Sequence, residues 1–75
     1  MYIIKLGEDF WLCSCADVVV YWISGSVRMF KTSQEAQKAF WDTRYRWPNL
    51  DIKESRIQRI DDKFNVLEEY MIGEI

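Results

Sequence analysis

Few side chains in this sequence could carry chemistry, because it contains no histidine and only two cysteines, Cys13 and Cys15. Acid or base catalysis near neutral pH would need a carboxylate or a lysine with a strongly shifted pKa, and 75 residues provide little interior for that. Two thiolates cannot complete a zinc site, which takes four ligands. We therefore expect no enzyme activity, no metal and no cofactor, and we interpret both cysteines as small buried strand residues.

Charge is distributed unevenly along the chain, although the net charge is only −2. Residues 28–59 contain eight basic and four acidic side chains, whereas residues 61–75 contain five acidic and one basic. A negative net charge argues against a simple nucleic-acid binder. If the acidic tail folded back on the basic middle, the two would neutralise each other.

Arginines alternate with aromatic rings at Arg44, Tyr45, Arg46 and Trp47. Such a surface can hold phosphates and stack bases, so a nucleotide bound between protomers, or a nucleic acid, is a candidate ligand. The same residues suit the end of a helix, where basic side chains complement the negative end of the macrodipole. We favour this structural interpretation because it needs no partner.

The sequence has more aromatic side chains than a domain of this size can bury: four Trp, four Tyr and four Phe. Exposed aromatic residues tend to mark contact sites, and carboxylates of the tail could match a basic surface on a partner. Trp41 is our leading candidate for an exposed anchor. The predicted partner-binding residues are Trp11, Trp22, Trp41, Arg44, Tyr45, Arg46, Glu68, Glu69 and Tyr70.

The element best placed to position these residues is a helix within residues 31–48. Thr32 and Glu35 form a capping-box pattern at its start, and Pro48 ends it. The helix should run from about Ser33 to Arg46 and be stabilised by packing. Its apolar face is predicted to contain Ala36, Ala39, Phe40, Thr43 and Trp47.

Short strands are predicted before this helix, at residues 2–6, 10–13, 18–23 and 27–30. Residues 18–23 are β-branched or aromatic throughout. This composition indicates a strand covered on both faces, or one covered on one face and used for contact on the other.

Beyond Pro48 the pattern fits either a strand or a helix. Alternation favours a strand over residues 55–60, yet apolar residues also recur at helical spacing from Ile57 to Met71. We favour the strand, followed by a short helix over residues 63–72. The predicted fold is a single α+β domain: a small antiparallel sheet of four to five strands packed against one main helix, with the C-terminal segment as a second short helix.

Three segments, MYIIKLGEDFWL, VRMFKTSQEAQKAF and ESRIQRID, resemble uncharacterised short open reading frames of bacteriophages and prophages of low-GC bacteria. The resemblance implies a small β-rich fold with one helix and a viral gene. With the surplus of aromatic residues, we expect a non-catalytic protein-binding module, a phage product that inhibits a host enzyme or an antiviral defence complex. The alternatives are a nucleotide-binding or other small-ligand-binding oligomer and a nucleic-acid binder.

No signal-peptide pattern is present, and the longest apolar run, residues 18–23, is too short to span a membrane. We therefore expect a cytoplasmic protein. Exposed strand edges on so small a domain also favour a homo-oligomer.

Overall fold

The computed structural model describes residues 1–8, 10–13, 19–20 and 27–73, with residues 19 and 20 described by their backbone alone. Within them, the elements along the chain are β1 (Tyr2–Lys5), β2 (Trp11–Leu12), β3 (Val19–Val20), α1 (Ser33–Arg46), β4 (Arg56–Ile60) and β5 (Val66–Met71). The strands form one antiparallel sheet in the order β3-β2-β1-β4-β5. The predicted α+β class is confirmed.

Helix α1 has the bounds that the capping signals predict. The Thr32 hydroxyl accepts a hydrogen bond from the Glu35 amide at 3.2 Å. The Glu35 carboxylate accepts one from the Lys31 amide at 3.3 Å, one residue before the position of an ideal capping box. At the other end, the Trp47 amide donates to Thr43 at 2.9 Å, and the backbone then leaves the helical conformation before Pro48.

The buried face of α1 packs on β1, the central strand, and on its neighbour β4. Ala36 and Ala39 allow close approach of the helix, and Phe40, which is 0% exposed, fills the space further along. Four of the five predicted face residues are buried, while Trp47 caps the helix and is half-buried. The main core contains Ile4, Leu6, Leu12, Phe30, Ala36, Ala39, Phe40 and Ile57.

Strand register decides which residues face the helix. Ile4 lies opposite Ile57, and Ile3 lies opposite Gln58. Because successive side chains in a strand point to opposite faces, Ile4 and Ile57 join the core under α1 while Ile3 and Gln58 lie on the other face. A second cluster of Ile3, Val27 and Ile60 forms there, with Trp11 and Phe64 packed against it.

The predicted strand at residues 27–30 is wrong. Val27 bridges Cys13, the residue after β2, and Phe30 bridges Tyr2 of β1. Residues 27–30 therefore pair with two different strands' neighbourhoods through isolated bridges and form no continuous ladder. Of the run 18–23, Val19 and Val20 pair with β2. Residues 18 and 21–23 of that run lie outside the described residues, and so does Cys15. Cys13 is buried as predicted.

The predicted helix over residues 63–72 is also wrong, whereas the strand predicted at 55–60 is confirmed as β4. Residues 61–65 form a tight turn: the Asp61 carboxylate accepts hydrogen bonds from the amides of Lys63 and Asn65 at 2.8 and 2.9 Å. Phe64 takes a left-handed conformation with φ of 65°. This turn reverses the chain, and β5 gains a ladder of backbone hydrogen bonds along β4.

Candidate protein-binding surface

The outward side of α1 carries an aromatic patch, which we call the helix patch and define as Trp41, Arg44 and Tyr45. Trp41 and Tyr45 are four residues apart and therefore lie on the same side of the helix. Trp41 is 43% exposed and Tyr45 is 88% exposed. The expectation that Trp41 is exposed is confirmed.

Trp41 is held in place by two neighbours. The Phe40 ring meets it edge to face, with centroids 5.4 Å apart and planes at 79°. The Arg44 guanidinium lies 6.0 Å from the centroid of the indole. Arg44 is itself fixed, because its Nε donates to the Leu50 carbonyl at 3.2 Å. These contacts restrict the Trp41 and Arg44 side chains in the free protein.

Arg46 is exposed and lies in the last turn of α1, as Arg44 does. Both positions suit the negative end of the helix dipole, in agreement with the structural interpretation of this basic segment.

Glu68, Glu69 and Tyr70 lie on β5, the last strand of the sheet. Glu68 forms an ion pair with Arg59, whose Nε donates to it at 2.9 Å, and it also accepts a hydrogen bond from the Tyr70 hydroxyl. Glu69 lies 3.8 Å from the Nε of Arg56. The acidic tail therefore does fold back on part of the basic middle, namely on the two arginines of β4.

These contacts alter the acid–base behaviour of β5. The Tyr70 hydrogen bond, followed by that of Arg59, holds the pKa of Glu68 below its usual value. The same carboxylate raises the pKa of Tyr70. A phosphate would have to compete with Glu68 for Arg59, which weakens the case for nucleic acid on this side of the molecule.

Trp11 is half-buried and takes part in internal packing. Its indole nitrogen donates to the Gln58 side chain at 2.8 Å, and the ammonium of Lys5 lies 5.7 Å from its ring centroid. Gln58 in turn donates to Glu69 at 2.7 Å. Trp22 lies outside the described residues.

The structure thus divides the predicted site into separate groups. Trp41, Arg44 and Tyr45 come together on α1, which packs on β1 and β4 but not on β5. Glu68 and Tyr70 come together on β5, and Trp11 is linked to Glu69 through Gln58. Arg44, Tyr45 and Trp41 therefore form a surface of their own.

Sequence analysis missed two buried polar residues that hold the sheet in place. Gln58 is 3% exposed, although the outer face of β4 reads as polar. Ser55 is 0% exposed, and its hydroxyl lies within hydrogen-bonding distance of the carbonyl oxygens of Asp51 (2.7 Å) and Leu6 (3.2 Å). The burial of these two polar side chains leaves no periodic signal in the sequence that could have revealed it.

Two open depressions on the described surface hold about 280 and 370 Å³. Neither includes Arg44, Tyr45 or Arg46, the residues predicted for a nucleotide site. Charged side chains of both signs line them. The first is bounded by Lys5, Gly7, Glu8, Lys53, Glu54, Arg56 and Glu69, and the second by Arg28, Phe30, Glu35, Lys38, Ala39 and Asp42.

Among the described residues, no group of three or more histidine, cysteine, aspartate or glutamate side chains is arranged to hold a metal ion. In the same part of the chain, no helix has the length and apolar character needed to cross a bilayer. The described surface instead carries aromatic rings in fixed contacts and ion pairs.

Comparison of the chain with protein-family models, with curated proteins and with solved structures finds no match.

Proposed function

We propose that this protein is a non-catalytic module that binds another protein through the helix patch. The observation that carries the proposal is the exposure of Tyr45, 88%, one helical turn from Trp41 at 43%. A ring exposed to this extent adds little to the stability of its own fold. Aromatic rings are enriched at protein interfaces, which supports contact with a partner.

The chemistry of the patch supports this function. Tryptophan, tyrosine and arginine are the residues that most often dominate the binding energy of protein interfaces. The Phe40 and Arg44 contacts restrict the Trp41 side chain in the free protein. Less side-chain entropy is then lost on binding, which favours affinity.

The partner that we propose is a bacterial protein, either a host enzyme or a component of an antiviral defence complex, which the module would inhibit by occupying its surface. The support for this part is the resemblance of three segments to phage reading frames. The helix patch supports binding and leaves the partner's identity to experiment.

The test is affinity capture from a lysate of low-GC bacterial cells, with quantitative mass spectrometry, using the native chain and the variants Tyr45→Ala and Trp41→Ala. Met29→Ala is the matched control, since Met29 is also a large exposed apolar side chain, 40% exposed, outside the patch. We expect a specific protein whose recovery falls by about tenfold or more with either patch variant, as loss of a hot-spot ring implies. Equal recovery by all four proteins, or no specific protein at all, would refute the proposal.

A further inference from the structure

We propose that the outer edge of β5 binds an extended segment of another protein, which adds to the sheet as a further strand and carries two consecutive basic residues opposite Glu68 and Glu69. This surface is separate from the helix patch and does not depend on the function proposed above.

The first support is the position of β5. It is an end strand of the sheet, six residues long, and pairs with β4 on one side. Within residues 1–8, 10–13, 19–20 and 27–73, no strand pairs with its other side. Alternate N–H and C=O groups of such an edge point away from the sheet and can accept another strand.

The second support is the composition of β5. Its sequence, VLEEYM, contains no proline and no lysine, two residues that protect strand edges, and its two charges are both negative. Val66 and Leu67 are 42% and 49% exposed. The bulge at Arg59 and Ile60 lies at the turn end of the hairpin, and the pairing from Arg56 to Arg59 is regular. An added strand would find a regularly paired edge over most of the length of β5.

The third support is charge. Glu68 and Glu69 are consecutive, so their carboxylates lie on opposite faces of the sheet. Their side chains remain 46% and 45% exposed, although they form ion pairs with Arg59 and Arg56 of β4. An added strand would lie about 4.8 Å from β5 and about twice that distance from β4. Its nearest charges would therefore be the two carboxylates, which select consecutive basic residues, one for each face.

A second copy of the chain fits this edge poorly. In antiparallel pairing along one shared edge, residues opposite each other have side chains on the same face, so Glu68 cannot lie opposite Glu69. The two registers with the longest overlap place Glu68 opposite Glu68, or Glu69 opposite Glu69. Like charges directly opposite each other destabilise a strand pair. The edge therefore favours a basic partner over self-association.

The probe is a fluorescently labelled ten-residue peptide of alternating valine and threonine with lysine at two adjacent central positions, measured by fluorescence anisotropy at low salt. The matched control has the same composition, with one residue between the lysines, so both lie on one face of the strand. We expect saturable binding of the first peptide and binding about two- to fivefold weaker for the control, the effect of losing one cross-strand charge pair. A peptide with glutamate in place of lysine should be weaker still.

Backbone pairing and location are tested separately. Two further lysine peptides carry N-methyl groups on alternate amides, one peptide on the odd-numbered residues and the other on the even-numbered residues. The peptide whose methylated amides face β5 should lose binding. The variant with Glu68→Gln and Glu69→Gln should lose the preference for lysine, while Met29→Ala, which lies outside both β5 and the helix patch, should bind as the native chain does. Two results of the peptide assay would overturn the proposal: no binding at all, or equal binding of the lysine and glutamate peptides. The proposal would also be overturned if analytical ultracentrifugation showed a dimer of the native chain that substitutions in β5 disrupt.

Discussion

A single glutamine amide ties three strands together on the face of the sheet opposite α1. Gln58 of β4 accepts a hydrogen bond from Trp11 of β2 and donates one to Glu69 of β5. Gln58 is 3% exposed. Its removal would leave the indole N–H of the half-buried Trp11 without this partner, at a desolvation cost, whereas Glu69 is exposed and can bind water instead.

Replacement of Gln58 by leucine should therefore lower the free energy of unfolding by about 1 to 3 kcal/mol, as expected for loss of a buried hydrogen-bonding group. Urea unfolding followed by tryptophan fluorescence measures the change. Gln37→Leu is the matched control, because the buried Oε1 atom of Gln37 has no hydrogen-bond partner. That variant should be neutral or stabilising. Equal destabilisation by both variants would show that the Gln58 contacts contribute nothing specific.

Gln58 also shows where prediction from sequence reaches its limit at this scale. The exposure of Trp41 follows from its place beside the apolar stripe, since helical periodicity fixes the face of each residue. The burial of Gln58 depends on which strands become its neighbours. That pairing joins residues far apart in the chain, so local pattern carries no information about it.

At the scale of elements, α1 was predictable and β5 was not, for the same physical reason. Thr32 and Pro48 act on their immediate neighbours, so the ends of α1 are determined by local chemistry. Residues 66–71 have helical spacing, but pairing with β4 outweighs it. The turn residues Asp61 and Asn65 were the available signal for a hairpin, because aspartate and asparagine favour tight turns.

Acid should loosen the β4–β5 hairpin. Hydrogen bonds from Asn65 lower the pKa of Asp61, and the Tyr70 hydroxyl, then Arg59, lower that of Glu68. A carboxyl group whose pKa is lower in the folded state stabilises the fold fully when the pH is above its ordinary pKa, which is 3.8 for Asp61 and 4.5 for Glu68. This stabilisation is lost as the pH falls through the lower pKa of the folded state. Glu68 is exposed and Asp61 is partly exposed, so the effect should be modest.

Urea midpoints measured from neutral pH down to about pH 3 should therefore fall, and less steeply for the variant with Asp61→Asn and Glu68→Gln. Asp62→Asn is the control, since it removes a charge from the same turn. If the double variant and the control show the native pH dependence, Asp61 and Glu68 do not account for the acid sensitivity.

At the scale of the whole molecule, the helix separates stability from binding. The molecule measures 31 × 24 × 20 Å, and its main core is centred on the contact of α1 with β1 and β4. Phe40 and Tyr45 are aromatic residues of the same helix with opposite environments, 0% and 88% exposed. One side chain serves the fold, and the other is available to a partner.

Phe40→Ala should lower the free energy of unfolding by about 3 to 5 kcal/mol, since it removes a large buried ring and leaves a cavity. A domain of 75 residues has a total stability of about 4 to 11 kcal/mol, so this variant should be marginally folded at best. Tyr45→Ala should change stability by less than about 0.5 kcal/mol, as is usual for surface sites. Thermal unfolding by circular dichroism measures both. Comparable losses in the two variants would mean that the Tyr45 side chain contributes to the stability of the fold. That result would contradict the proposal that the helix patch is a binding surface.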